Sequence, residues 1–76
     1  MPSKTITRGP WRFKWEGGRL ADVYYSGKPD SLDCIQVGDY DWEKGEAQGT
    51  IADLKTAADE WIKESSADYL AELRYL

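Results

Sequence analysis

The first half of the chain alternates between apolar and polar residues, as half-buried strands do. In residues 11–15, WRFKW, three aromatic side chains alternate with two charged ones. Successive side chains of a strand point to opposite faces, so the three rings share one face. Gly17 and Gly18 follow, and glycine readily adopts the positive φ angles of a tight two-residue hairpin turn. Residues 11–25 are therefore predicted to form a hairpin whose rings enter the core.

The next strand is predicted over residues 32–42, after a turn-forming stretch of glycine, proline, aspartate and serine. Its apolar residues change parity at Gly38, between Val37 and Tyr40. A β-bulge adds one residue to a strand and would return both groups to one face. A bulge or kink is therefore predicted at Gly38. Without a bulge, either the apolar residues before Gly38 or those after it must point outward. In the second case, Trp42 is a candidate exposed anchor.

The second half of the chain predicts a helix. Residues 43–49 have the composition of a loop, and from Ile51 onward apolar residues recur at steps of three and four, as far as Leu76. Thr50 is a good N-cap residue, and Asp53 stands where a capping box requires an acceptor.

A serine pair interrupts this apolar stripe at Ser65 and Ser66. One long helix could pass through the pair with Ser65 on its buried side. Alternatively, Ser65 could cap a second short helix, with Asp68 completing a Ser-x-x-Asp box. The pattern favours a break near Ser65.

Three or four antiparallel strands followed by a helix predict a small two-layer α+β fold, with residues 1–76 as a single domain. Residues 1–9 would be an edge strand or a flexible arm. Ten aromatic residues offer large core side chains to a chain of 76 residues, and each can bury about 150–250 Å². On the helix, the predicted core partners of these rings are Leu54, Ala58, Trp61 and Ile62.

The sequence predicts a cytoplasmic protein without a membrane segment. It contains no run of 18 apolar residues, and its first ten residues lack the apolar centre of a secretory signal. Its single cysteine, Cys34, cannot form an internal disulfide. Because Cys34 lies in a predicted strand, it is expected to be a small core side chain.

The sequence favours neither an enzyme nor a cofactor or metal site. The chain has no histidine, the usual general base near neutral pH, and no visible base to activate Cys34. Acids alternate over residues 39–43, as at the start of an EF-hand loop. However, Lys44 and Thr50 occupy the sixth and twelfth positions, where that loop needs glycine and glutamate.

Charge is unevenly distributed along the chain. The net charge is −4, but residues 1–28 carry +4 and residues 29–76 carry −8. This asymmetry predicts one positive and one negative surface, unless the two halves simply attract each other within the fold.

The predicted function is that of a non-enzymatic module that binds another protein. Its acids would dock on a basic surface, such as a groove that normally holds nucleic acid. Small phage-encoded inhibitors of restriction and CRISPR machinery act by this logic; the likeness is in size, charge and architecture, without a shared motif. The predicted acidic surface comprises Asp39, Asp41, Glu43, Asp53, Glu60, Glu64 and Asp68, with Tyr40 and Trp42 as candidate aromatic anchors.

Two other functions remain open at the level of sequence. A sheet face can contact nucleic acid through basic residues and stacked rings, in a layout like that of small integrase arm-binding domains. The residues for this function are Arg8, Arg12, Lys14, Arg19, Tyr24 and Lys28. The acidic sequence pI of about 4.6 opposes it. A third function is that of a homodimer subunit, paired through an edge strand and exposed rings.

Overall fold

A computed structural model describes residues 3–73 of the chain. It contains a four-stranded antiparallel sheet, a separate two-stranded hairpin and one C-terminal helix, which confirms the α+β class. The predicted apolar position at Leu76 lies outside the described residues. The elements are β1 (Lys4–Arg8), β2 (Trp11–Trp15), β3 (Leu20–Tyr25) and β4 (Asp33–Gln36) of the sheet, β5 (Tyr40–Asp41) and β6 (Glu46–Ala47) of the hairpin, and α1 (Ile51–Leu73).

The strands of the large sheet lie in chain order, and each pairs antiparallel with the next. β1 is an edge strand paired along its whole length with β2, from Lys4 opposite Trp15 to Arg8 opposite Trp11. Of the two alternatives for the N-terminal residues, the edge strand is therefore correct for residues 4–8. Within residues 3–73 no helix combines the length and the apolar character needed to cross a membrane.

The aromatic residues of β2 point into the core, as their alternation predicts. Trp11, Phe13 and Trp15 are buried, while the charged residues between them are exposed. The helix packs on this inner face of the sheet. Its buried residues are Leu54, Ala58 and Trp61, and Ile62 is partly buried against the same core.

Trp61 packs against three other aromatic rings of the core. Its ring centroid lies 4.8 Å from that of Trp11, 5.8 Å from that of Phe13 and 5.4 Å from that of Tyr69. The first two contacts are edge-to-face, the arrangement that aromatic quadrupoles favour. The indole Nε1–H donates a 2.9 Å hydrogen bond to the carboxylate of Asp33. Trp61 thus joins the helix to both β2 and the start of β4.

The connection between β2 and β3 is longer than predicted. Residues 16–19 separate the two strands, so the expected two-residue turn at Gly17 and Gly18 is wrong, although Gly17 has a positive φ of 86°. The Trp15 indole donates a 2.8 Å hydrogen bond to the Gly18 carbonyl. The Arg19 carbonyl accepts one from the amide of Val37 at 2.9 Å. One local and one long-range hydrogen bond thus stabilise the wider loop.

The strand predicted over residues 32–42 is divided in two. β4 ends at Gln36, Gly38 has a φ of +68°, and the chain resumes as β5 in the separate hairpin. The kink at Gly38 is confirmed, but the bulge within one strand is wrong. A Cβ on Gly38 would lie 2.7 Å from the Cα of Gly49. This close approach of the helix-leading segment diverts the chain from the sheet, and β6 forms within the predicted loop at 43–49.

The helix is continuous through the serine pair, so the favoured break near Ser65 is wrong. The Ser66 hydroxyl donates a hydrogen bond to the carbonyl of Ile62, one turn earlier, and so satisfies its own polarity within the helix. The contact of Tyr69 with Trp61 holds the following turn against the core. The capping box at the N-terminus is confirmed, since Thr50 and Asp53 exchange hydrogen bonds.

Cys34 is exposed rather than a core residue. It lies opposite Asp22 of β3, and Asp22 in turn lies opposite Lys14 of β2. These three residues belong to the outer face of the sheet, which is opposite to the face that packs on α1. The expected core position of Cys34 is therefore wrong, because the register of β4 places it on the outer face.

Candidate functional site

The hairpin of residues 40–47 presents an aromatic side chain to solvent. β5 and β6 pair with Tyr40 opposite Ala47 and with Asp41 opposite Glu46, leaving a four-residue loop between them. Trp42 is the first residue of that loop and is 73% exposed. Most tryptophans are largely buried, so this degree of exposure is unusual for the largest side chain.

Asp41 accepts three hydrogen bonds from backbone amides of the loop. Its carboxylate accepts hydrogen bonds from the backbone amides of Glu43, at 3.0 Å, and Lys44, at 3.1 Å. Its carbonyl accepts a 2.7 Å bond from the amide of Gly45, where φ is +68°. An aspartate that bonds nearby backbone amides in this way is a common turn-former. The backbone that carries Trp42 is therefore ordered by local bonds.

Arg19 contacts the exposed ring from the neighbouring loop. Its guanidinium lies 4.9 Å from the Trp42 ring centroid and 6.0 Å from that of Tyr40. The Tyr40 and Trp42 rings meet edge-to-face at 4.6 Å. Both guanidinium distances are within the usual range of cation–π contacts. We call Arg19, Tyr40 and Trp42 the aromatic cluster.

A shallow cavity of about 480 Å³ lies beside the aromatic cluster. It separates the loop between β2 and β3 from the 40–47 hairpin. Its lining includes Arg19 and Tyr40 of the cluster, and the remainder consists of Gly17, Gly18, Gly45, Glu46 and Ala47. Its size is within the range of small-molecule sites, and an apolar side chain of a partner could enter it.

The predicted acidic surface is divided between two regions. Near the hairpin, Asp39 and Glu43 are exposed, and so is Glu46. Asp41 instead serves the turn. In the second region, on α1, Asp53 accepts hydrogen bonds from the amide and hydroxyl of Thr50 and so serves the helix cap.

The remaining helical acids form a short exposed row. Glu60, Glu64 and Asp68 follow one another at four-residue spacing and are all exposed. Glu60 and Glu64 also line a groove of about 210 Å³ between the helix and the edge strand β4, together with Gln36. Five of the seven predicted acids are therefore exposed, two near the hairpin and three along the helix.

The predicted basic residues lie at three separate locations. Arg12, Lys14, Tyr24 and Lys28 line one cavity on the outer face of the sheet. Arg8 points to the helix side instead, where its Nε donates a 3.2 Å hydrogen bond to the Asp59 carboxylate. Arg19 belongs to the aromatic cluster. The single surface expected from the sequence is therefore wrong for Arg8 and Arg19.

Arg19 is the candidate site residue whose surroundings the sequence does not predict. It was grouped with the basic hairpin because it is close in sequence to Lys14. Its contact with Trp42 depends on β4 ending at Gln36, which places the 40–47 hairpin beside the loop between β2 and β3. No local sequence pattern predicts this contact between Arg19 and Trp42.

Asp33 is a residue that sequence reasoning did not single out. The hydrogen bond from the Trp61 indole keeps the pKa of Asp33 below its ordinary value of 3.8, although burial opposes this; the amide of Cys34 contributes in the same direction. Burial raises the pKa of Tyr69 above its ordinary value of 10.0, and the negative charge of Asp33 adds to that effect. These groups stabilise the interface between the helix and the sheet.

No known protein family, curated protein or solved structure matches this chain. Within residues 3–73 no group of three or more aspartate, glutamate or cysteine side chains is arranged to hold a metal ion.

Proposed function

We propose that this protein is a non-enzymatic binding module that docks on another protein through the aromatic cluster and the acids around it. The observation that carries this proposal is that Trp42 is 73% exposed and yet contacts both Arg19 and Tyr40. Exposure makes the ring available to a partner. The two contacts, together with the bonded turn, limit its motion in the free protein.

The composition of the aromatic cluster supports a protein partner. Tryptophan, tyrosine and arginine are the residues most enriched among interface positions that dominate binding energy. Burying roughly 150 Å² of the Trp42 ring would contribute about 4 kcal/mol at 25 cal/mol per Å², before the costs of association. A side chain that is already ordered loses less rotamer entropy on binding than a free one.

The charges around the cluster define the chemistry of the partner. Asp39, Glu43 and Glu46 are exposed on or next to the hairpin, against one lysine, Lys44. A complementary partner would offer an apolar pocket for Trp42 with lysine or arginine at its rim, because matched charges steer association and exclude wrong partners. Basic rims of this kind are typical of surfaces that hold nucleic acid.

The finer form of the proposal is that docking inhibits the partner. A small acidic protein seated on a nucleic-acid-binding surface would exclude the phosphate backbone from it. The helical row of Glu60, Glu64 and Asp68 would extend the negative surface over about 12 Å, at 1.5 Å per residue. This is the action expected of an inhibitor of a restriction or CRISPR complex, of the kind that phages encode.

The test compares wild-type protein with Trp42→Ala and with Leu70→Ala as a matched control. Leu70 is also an exposed large apolar residue, and it lies about 25 Å along the helix from Asp53. Each tagged protein is incubated with nuclease-treated lysate of its native host, and retained proteins are quantified. A partner retained by wild type and Leu70→Ala but lost with Trp42→Ala supports the proposal.

Affinities measured with that purified partner complete the test. Trp42→Ala should weaken binding by about 30-fold or more, the effect of losing roughly 2 kcal/mol at an interface centre. Leu70→Ala should change affinity by less than about threefold. Equal retention of the same proteins by all three variants, or retention of none, would overturn the proposal.

A further inference from the structure

The geometry points to a second binding site, on the outer face of the sheet, for single-stranded nucleic acid. A cavity of about 380 Å³ opens on this face, where β1, β2 and β3 meet the turn that follows β3. It is lined by Thr5, Arg12, Lys14, Tyr24, Lys28 and Pro29. The proposed protein-binding surface does not use any of these residues.

Three cations and no carboxylate line this cavity, in a protein whose net charge is −4. Among the described residues the one ion pair joins Arg8 to Asp59, so Arg12, Lys14 and Lys28 have no carboxylate partner there. Like charges repel, and gathering three without a counter-charge is unfavourable unless an anion joins them. On the same face, Asp22 lies directly across from Lys14 in the register of β2 and β3, so it offsets part of this charge, although it does not line the cavity.

Tyr24 distinguishes a nucleotide from a simple anion. It is half-buried and lies directly across from Arg12 in the register of β2 and β3. A base can stack on such a ring for roughly 1–3 kcal/mol, while lysine and arginine contact the adjoining phosphates. The Thr5 side chain could hydrogen-bond to sugar or base. A cavity of this volume suits one unpaired nucleotide, and three cations contact too few phosphates for a duplex.

The two surfaces can be occupied together. Arg19 of the aromatic cluster and Tyr24 are five residues apart, which in a strand is about 17 Å. A complex that handles nucleic acid would present both a protein surface to the hairpin and a free strand to the sheet. The sheet-face site nevertheless stands on its own lining and does not depend on the protein partner.

The test is fluorescence anisotropy with labelled dT12 and U12 oligonucleotides, from about 20 to 200 mM salt. Three phosphate contacts predict that log K falls with log salt at a slope of about −2, since each contributes roughly 0.7 for single strands. Arg12→Ala/Lys14→Ala should weaken binding at least tenfold. Lys55→Ala/Lys63→Ala, which removes the same charge from exposed helix positions, should leave affinity within twofold.

Tyr24 supplies a further arm of the experiment. Tyr24→Phe keeps the ring and should bind as wild type, while Tyr24→Leu should lose about tenfold, with circular dichroism confirming that both fold. Trp42→Ala should bind the oligonucleotides normally, which separates this site from the hairpin. No binding at 20 mM salt, or equal losses in both double variants, would overturn the proposal. So would equally effective competition by polyglutamate, which would identify an acidic polypeptide as the ligand.

Discussion

Trp42 and Trp61 show how one residue type takes opposite roles in a chain of this size. Trp61 is 6% exposed and contacts three other rings, while Trp42 is 73% exposed and contacts Arg19 and Tyr40 at the surface. Replacing Trp61 with alanine is therefore expected to lower stability, whereas replacing Trp42 with alanine is expected to weaken partner binding and leave stability unchanged.

Trp61→Ala should destabilise the fold by about 3–5 kcal/mol, because it removes a large core side chain and leaves a cavity. A small domain with 5–15 kcal/mol of total stability loses much of it in this way. Trp42→Ala, the matched control, should leave the free energy of unfolding within about 0.5 kcal/mol. Urea titrations followed by circular dichroism measure both. A comparable loss in the two variants would contradict the assigned surroundings.

Asp33 makes stability depend on pH at the acidic end. Its pKa is lower in the folded protein than its ordinary value of 3.8, so its stabilising effect is fully present above that value. The effect is lost as pH falls through the lower, folded-state pKa. Asp33→Asn should therefore flatten the decline of unfolding free energy below about pH 4. Exposed Asp30→Asn is the control, and an unchanged pH profile in Asp33→Asn would contradict the prediction.

At the scale of elements, the chain is shaped by the close approach of two segments near the helix N-terminus. A Cβ on Gly49 would lie 2.3 Å from the carbonyl oxygen of Val37, closer than any real contact. A Cβ on Gly38 would in turn lie 2.7 Å from the Cα of Gly49, so the two segments cross closely at these glycines. These two glycines let β4 end where it does and place the 40–47 hairpin beside Arg19.

Gly49→Ala should therefore destabilise the protein by about 2 kcal/mol, within the usual range for overpacking. For a domain of this size that corresponds to a fall in Tm of roughly 10 °C. Gly18→Ala is the matched control, because a Cβ there meets nothing within 4 Å. Thermal unfolding of the two variants measures the difference, and equal Tm values would show that the crossing is looser than described.

At the scale of the whole molecule, charge and shape define separate surfaces. The hairpin end carries the aromatic cluster with exposed acids, the helix carries a row of acids, and the outer face of the sheet carries a group of three cations. The proposed protein interface uses the first surface as its centre and the second as its rim.

Two matched charge reversals test whether the hairpin acids lie at the centre of the interface and the helical acids at its rim. Asp39, Glu43 and Glu46 changed together to lysine should weaken partner binding about 100-fold or more, because these exposed acids lie on or next to the hairpin that carries Trp42. Glu60, Glu64 and Asp68 changed to lysine alter the net charge by the same amount. They should weaken binding by about tenfold, chiefly through a slower association rate, as rim charges do. Surface plasmon resonance separates the rates, and equal effects would indicate a response to net charge alone.

The sequence by itself determined the elements with strong local patterns. The alternation over residues 11–15 predicted which rings are buried, and the three-and-four spacing predicted the helix and its buried Leu54, Ala58 and Trp61. The capping box of Thr50 and Asp53 was also evident, because its two partners are three residues apart. Each of these features depends on side-chain direction or on contacts within a few residues.

Tertiary structure alone decided where strands end and which distant residues meet. The end of β4 depends on the Gly38–Gly49 crossing, and the continuity of α1 depends in part on Tyr69 packing against Trp61. The same holds for both candidate sites. Arg19 meets Trp42, and Lys28 joins Arg12, only once the strands are paired in register. Contacts between residues far apart in sequence arise from packing, and no local pattern encodes them.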